Sequence, residues 1–242
     1  MHLENKTIVV TGTNRGIGKA LVTELLKRNV RKVYATARNI DHIESYGDAR
    51  VVPLKLDITN EEQVKAVAKE ASDTDLLINN AGAAEYISAM DGPPKMIERD
   101  MNTNYYGTLN MMRAFVPVLE KKSVSAIANV VSIVAFVNFP NLGGYCASKA
   151  ALYSITQGAR IELKHKCINV HSINPGPIDT DMAKGSDVDK TSPEETARNI
   201  LDGLEADEAD IFPDQIGRAM FDTWLKHYRD LEHMVASMLK SA

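Results

Sequence analysis

With 242 residues the chain is long enough to bury a core without staples, and its 44% apolar and 25% charged residues are ordinary for a globular protein. Its 28 basic and 32 acidic residues leave a net charge of −4, which excludes the basic footprint of a nucleic-acid binder and confines any anion site to a few local cations. Two cysteines, Cys146 and Cys167, exclude a disulfide framework and a zinc site.

The six histidines show no ligand-like spacing, so no metal is expected. No apolar run approaches the roughly 20 residues that span a bilayer. No signal peptide is legible in the polar start at residues 1–6. A cytoplasmic protein with neither membrane nor nucleic acid as partner is the expectation.

Short apolar runs alternate with amphipathic stretches. Residues 6–12 (KTIVVTG) read as a buried strand. Residues 16–28 read as a helix, with Ile17, Leu21, Val22, Leu25 and Leu26 at helical spacing. Strands follow at 32–37 (KVYATA) and 50–56 (RVVPLKL), then a helix at 59–71 capped by Thr59 or Asn60. Residues 75–79 (DLLIN) are a strand that leads into a Gly-containing loop. Residues 94–121 read as a long helix that Pro117 kinks or ends.

A strand at 126–132 (AIANVVS) precedes a second long helix at 144–165. Residues 168–174 (INVHSIN) form a strand, 175–192 a mobile loop rich in Gly, Pro, Asp and Ser, and 193–205 a helix. A short strand at 209–213 and one helix or two over 215–240 complete the chain. This alternation implies an α/β fold, a doubly wound parallel sheet of about seven strands with helices on both faces. Without linker or repeat, residues 1–242 read as one domain.

Two motifs carry chemistry. The first is TGTNRGIG at 11–18, between the first strand and the first helix. Glycines there permit a tight turn and let backbone approach a pyrophosphate, while the helix start offers unpaired N–H groups and a positive dipole end. An acidic residue at the end of the second strand binds a ribose 2′-hydroxyl and repels a 2′-phosphate. This chain has Ala37 and then Arg38, with no carboxylate before Asp41. Arg15 can face the same spot, and guanidinium forks suit phosphate, so NADP is expected over NAD.

The second motif is Tyr145 with Lys149, four residues apart on one helix face. A free phenol titrates near 10 (roughly), too high for efficient proton transfer at neutral pH, and a neighbouring ammonium is expected to lower it. Ser132 ends the preceding strand, where a hydroxyl can steady a developing oxyanion. Asn104 lies in the long helix before it, either holding Lys149 through a water chain or interrupting the helix. Cys146, next to Tyr145, diverges from it around the helix and reads as packing. His165 and His171 read as surface or structural histidines.

These residues occur in the order of a known family. The chain resembles the short-chain dehydrogenase/reductase family through TGTNRGIG (11–18), LDIT (56–59), NNAG (79–82), NYYG (104–107), VVS (130–132), YCASK (145–149) and NPGPIDTDM (174–182), over about residues 4–206. The resemblance implies a catalytic tetrad of Asn104, Ser132, Tyr145 and Lys149. It implies cofactor contacts from Gly12, Thr13, Asn14, Arg15, Gly16, Ile17 and Gly18, with Arg38 at the 2′-phosphate. Asp57 with Ile58 would meet the adenine edge, and Asn80, Ala81 and Gly82 the adenosine ribose. Tyr145 and Lys149 would reach the nicotinamide ribose, with Pro175, Gly176 and Ile178 behind the ring and Thr180 near the phosphates.

The implied activity is NADP(H)-dependent hydride transfer to or from a carbonyl or secondary alcohol, of carbonyl-reductase type, with Tyr145 as acid/base and a small-molecule substrate. Two other readings of the same residues are a cofactor-binding regulator or scaffold and a nicotinamide-retaining epimerase or dehydratase. Family habit implies a homodimer or homotetramer. Two departures stand out: Asp210-Ile211-Phe212-Pro213 replaces the usual glycine-rich turn after the last strand, and the helix before Asp75 is short. The tail, 209–242, is atypical, and 180–192 reads as a substrate loop or lid. Within the tail Ile216, Met220, Trp224, Tyr228, Leu231 and Val235 recur at helical spacing. They read as a packed face, with Met220, Phe221 or Trp224 as alternative pocket residues.

Overall fold

A computed structural model describes residues 1–183 and 189–240. Seven parallel strands form one sheet in the order β3-β2-β1-β4-β5-β6-β7. They are β1 (Thr7–Thr11), β2 (Lys32–Ala37), β3 (Val51–Lys55), β4 (Leu76–Asn79), β5 (Ser125–Val130), β6 (Ile168–Ile173) and β7 (Asp210–Ile211). The helices between them are α1 (Gly16–Lys27), α2 (Glu61–Glu70), α3 (Pro94–Asp100), α4 (Thr108–Leu119), α5 (Gly143–Glu162) and α6 (Pro193–Glu205). A final pair, α7 (Gln215–Lys226) and α8 (Tyr228–Lys240), follows β7.

The central strands β1, β4 and β5 are buried along their whole length because both faces of the sheet are covered. In β1, Ile8 and Val10 turn to one side and pack with Leu21 and Leu25 of α1 and Ile200 and Leu204 of α6. Val9 turns to the other side and meets Val64 and Val67 of α2 and Met111 and Phe115 of α4. Each such side chain, taken fully out of water, contributes about 1.5–3 kcal/mol before the chain-entropy cost. A third, smaller cluster joins Ile133 and Val137 after β5 to Met220 of α7 and Leu231 and Val235 of α8.

The sheet order reverses at β1 and β4, which pair with Ile8 opposite Leu76 and Val10 opposite Ile78. From β1 the chain goes to one side, through β2 and β3; from β4 it goes to the other. At such a switch point the strand ends splay around a crevice that admits ligand. All the motifs above lie in loops or helix starts at that end.

Four sequence expectations change in detail. The long helix expected over 94–121 is α3, then a π-helical turn over Met101–Gly107, then α4. Pro117 does not break α4; it lies in the last turn, and the helix ends at Leu119. The strand expected to end at Ser132 ends at Val130, and Ser132 caps a short 3₁₀ turn over Ile133–Ala135. The last strand shrinks to Asp210–Ile211, and the final helical stretch is a pair broken at His227. Of the mobile loop and lid expected within 175–192, residues 184–188 lie outside those described. The base of that loop is stitched by Asp179 N–H to Thr191 O at 2.9 Å and Thr191 N–H to Pro177 O at 3.1 Å.

Candidate active site

The glycine-rich turn is built from tight backbone approaches. Gly12 and Gly16 have φ of +71° and +53°, the left-handed region that glycine adopts without strain. A Cβ on Gly18 would lie 2.1 Å from the Gly12 carbonyl oxygen, and one on Gly12 would lie 2.9 Å from Ala81 Cα. The Gly12 and Thr13 amides both donate to Thr36 O at 3.0 Å, which ties the turn to β2. Asn80 Nδ2 donates to Thr11 O and Gly12 O at 2.9 and 3.0 Å, while Thr11 Oγ1 accepts from the Asn80 and Ala81 amides. The stretch Asn80–Ala81–Gly82 thus braces the turn from the neighbouring strand.

Helix α1 begins after Arg15 with no side chain capping its first amides. Those N–H groups, with the dipole behind them, suit a phosphate. Asn14, Arg15 and Arg38 are exposed, Ile17 is half-buried and Thr13 is buried. Arg15 pairs with Asp181 at 3.3 Å, and among the described residues Arg38 has no ion pair. Thr180 abuts the turn, its methyl 3.1 Å from where a Cβ on Gly16 would stand. Asp57 accepts from Thr59 N–H at 2.9 Å and Thr59 Oγ1 at 2.7 Å, closing the turn into α2, and Ile58 packs on Gly107 of the π turn. The uncapped amides, the close glycine approaches and the two exposed guanidiniums fit a phosphate-rich dinucleotide.

The four side chains of the expected tetrad converge beyond the ends of β4 and β5. The π turn presents Asn104 inward, fully buried, where its Nδ2 donates to Ala83 O and Ser148 Oγ at 2.8 Å each and its Oδ1 accepts from Ala83 N–H at 2.9 Å. Of the two roles open to it in sequence, the helix interruption is present. Single π turns inside helices recur at functional sites. Ser132 Oγ donates to Pro175 O at 3.2 Å and stands beside the Tyr145 phenol, where a hydrogen bond from its hydroxyl favours the phenolate. Lys149 Nζ donates to Val130 O at 2.8 Å and lies 5.6 Å from the centre of the Tyr145 ring.

Electrostatics corrects one expectation. The phenol of Tyr145 is not acidified; burial raises it above its ordinary value, and the Ser132 hydrogen bond only partly opposes this. Burial likewise lowers Lys149 to about 8, against the attraction of Asp100. Desolvation favours the neutral form of each group, and it outweighs the pairing that the i, i+4 spacing promised. The phenol therefore holds its proton at neutral pH.

Several contacts lie outside the motif reading. Asp214 caps α7 and also accepts from the Gly176 amide at 2.7 Å, so the atypical tail holds the segment that follows β6. Pro175 and Ile178 are buried on either side of it. Tyr86 Oη donates to Met182 O, which joins the loop after β4 to the loop after β6. Asp100, one turn before Asn104, is fully buried. Only Asp100 left a signal, as a lone carboxylate four residues from the candidate Asn in a helix. Cys146 is buried and accepts from the Phe139 amide, and His171 is buried with Nδ1 2.7 Å from Glu208 O, as packing and structural residues would be. Among the described residues no cluster could hold a metal, and no helix is long and apolar enough to cross a membrane.

A family model described as short chain dehydrogenase matches residues 6–191. A crystal structure of a short chain dehydrogenase from Burkholderia cenocepacia in complex with NADP has a TM-score of 0.93, 38% identity, and coverage of 97% of this chain and 99% of that one. An NADP-dependent 3-hydroxy acid dehydrogenase of Schizosaccharomyces pombe is 31% identical over 246 residues, 89% of this chain and 93% of its own length. An oxidoreductase of Staphylococcus aureus is 33% identical over 215 residues, 84% of this chain and 92% of its own length.

Proposed function

The chain belongs to the short-chain dehydrogenase family and is an oxidoreductase, and on that premise we propose that it is an NADP(H)-dependent enzyme reducing a carbonyl compound to an alcohol, with Tyr145 as the proton donor. The observation that carries this reading is the half-buried phenol of Tyr145, protonated, within reach of Ser132 and backed by Lys149. NADPH supplies hydride when bound. The glycine-rich turn and α1 would hold its pyrophosphate, Arg38 and Arg15 its 2′-phosphate, and the buried walls at Pro175 and Ile178 its nicotinamide side.

The chain's own residues then act on the substrate oxygen. Ser132 turns its proton from Pro175 O to the carbonyl oxygen and orients it. Tyr145 releases its proton to that oxygen as negative charge develops. Lys149, with its ammonium beside the ring, stabilises the phenolate left behind. Asn104 fixes the loop at Ala83 and, through Ser148, the face of α5 from which Tyr145 and Lys149 project. The protonated phenol is the form that serves the reduction step.

We assign residues 1–242 to one domain, with the substrate between the 180–192 loop and the 209–242 tail. The NADP named for the Burkholderia structure and the Schizosaccharomyces enzyme supports the cofactor choice. Family habit is what supports association of copies into a homodimer or homotetramer. The test is NADPH consumption, followed at the nicotinamide absorbance, across ketones, aldehydes and hydroxy acids run in reverse. Tyr145→Phe should bind NADPH as tightly as wild type and lose at least ~100-fold in turnover. Undiminished turnover in that variant refutes the assignment of Tyr145.

A further inference from the structure

Asp214, in the atypical tail, is buried at the start of α7. Its Oδ1 accepts from the Gly217 amide at 2.7 Å, which is all that a helix cap requires. Its Oδ2 accepts from the Gly176 amide, also at 2.7 Å. That amide belongs to the peptide unit whose carbonyl is Pro175 O. The same carbonyl accepts from the Ile133 amide at 3.0 Å and from Ser132 Oγ at 3.2 Å. A carboxylate of the tail and the hydroxyl of Ser132 are therefore joined across one peptide, by a hydrogen bond at each end. Two glycines make the approach possible. A Cβ on Gly176 would lie 2.6 Å from Asp214 Oδ1, and one on Gly217 would lie 3.0 Å from the Gly176 nitrogen. The residue before Asp214 is anchored in turn, with Asn199 Nδ2 donating to Pro213 O at 2.7 Å.

We propose that Asp214 is a positioning residue for catalysis: by holding the Gly176 amide it sets the plane of the Pro175–Gly176 peptide, and so the place of the oxygen on which the Ser132 hydroxyl rests. The inference rests on the reading of Ser132 and Tyr145 given above. A peptide bond keeps its C=O and N–H in one plane, pointing opposite ways, so a hold on the N–H fixes the direction of the oxygen. The Ile133 amide alone would leave that plane free to swing about its oxygen. Ser132 Oγ accepts from the Val134 amide at 3.3 Å, and Pro175 O takes its proton. A bond to a carboxylate also polarises the peptide and makes Pro175 O the better acceptor. Released from Asp214, the peptide turns, and Ser132 loses the contact that holds its hydroxyl beside Tyr145. The tail thus acts on the chemistry through one planar unit, apart from the packing of α7 and α8.

The test is a double-mutant cycle on kcat/KM for carbonyl reduction by the full-length enzyme, with NADPH saturating so that cofactor affinity does not enter. Asp214→Asn keeps an oxygen for the Gly217 amide, since Asn caps helices about as well as Asp, but it removes the second acceptor that Gly176 needs. It should lower kcat/KM about 3- to 10-fold, the effect of one lost hydrogen bond. In a Ser132→Ala background the same substitution should cost less than about 1.5-fold, because the hydroxyl it positions is gone. A merely structural role would give the same factor with and without that hydroxyl. Asp214→Ser, whose short side chain caps α7 without reaching Gly176, should show the same pattern and decides the matter if Asp214→Asn does not fold. Wild-type kcat/KM in the Asp214 variant, or equal losses in the two backgrounds, overturns the proposal. With Ser132→Ala impaired, these outcomes remove Asp214 alone; a Ser132→Ala enzyme with wild-type turnover removes the parent reading as well.

Discussion

Lys149 carries its charge in a place water does not reach: it is 4% exposed and rests on one carbonyl. Burial brings it down to about 8, so it loses its proton as pH rises through that value. If the ammonium stabilises the phenolate, kcat/KM for reduction must fall above pH 8 with unit slope, while NADPH binding, read by fluorescence, holds steady. A flat profile to pH 10 would contradict this. At the other end of the crevice Arg38 is exposed and, among the described residues, has no ion pair, as a group that meets a 2′-phosphate would. Arg38→Asp should weaken NADPH by about 10- to 100-fold, the worth of a charge-assisted contact, and NADH by far less. Equal losses for both nucleotides in a titration would remove the site. The spacing of Tyr145 and Lys149 was legible in sequence because a helix repeats. The direction in which the phenol titrates was not, since its desolvation depends on how the packed chain surrounds it, Ser132 of the preceding loop included.

Strand and helix starts follow from local chemistry, and there the sequence is most readable. β2 and α6 fall where apolar runs and the Ser192–Pro193 start place them, and Asn60 caps α2 by accepting from the Gln63 amide. The π turn is different. Nothing in MNTNYYG announces a wider turn; it arises because Asn104 is drawn to Ala83 and Ser148, contacts that exist only after β4 and α5 have packed. The glycine-rich turn can be probed directly. Gly18→Ala would press a methyl against the Gly12 carbonyl at 2.1 Å, backbone against backbone, with no flexible side chain to yield. We expect a stability loss of about 1–3 kcal/mol and an NADPH affinity at least ~10-fold weaker, measured by urea unfolding and by titration. An unaltered affinity would mean that the turn does not hold the nucleotide.

At the level of the whole chain, the α/β alternation foretold a parallel sheet, and its order follows from two groups of crossovers, one on each side of the β1–β4 pair. The role of the tail was less legible, because its apolar spacing fits a core face and a pocket wall equally. In the structure Leu231 and Val235 are buried in the cluster that includes Ile133, next to the candidate Ser132, and Asp214 holds Gly176. Met220 is buried in that cluster, and Phe221 and Trp224 pack against it. The tail therefore braces the site from outside, and Leu231→Ala should destabilise the protein by about 2–5 kcal/mol in thermal or denaturant unfolding. A change below ~1 kcal/mol would show α8 to be an appendage. The most direct trial of the whole account follows one atom: NADPH carrying deuterium at the transferable position of its ring, offered with a carbonyl substrate to wild type and Tyr145→Phe. The account predicts deuterium on the alcohol carbon with wild type and at least ~100-fold slower labelling with the variant. Alcohol free of deuterium, or equal labelling rates for the two proteins, would contradict it.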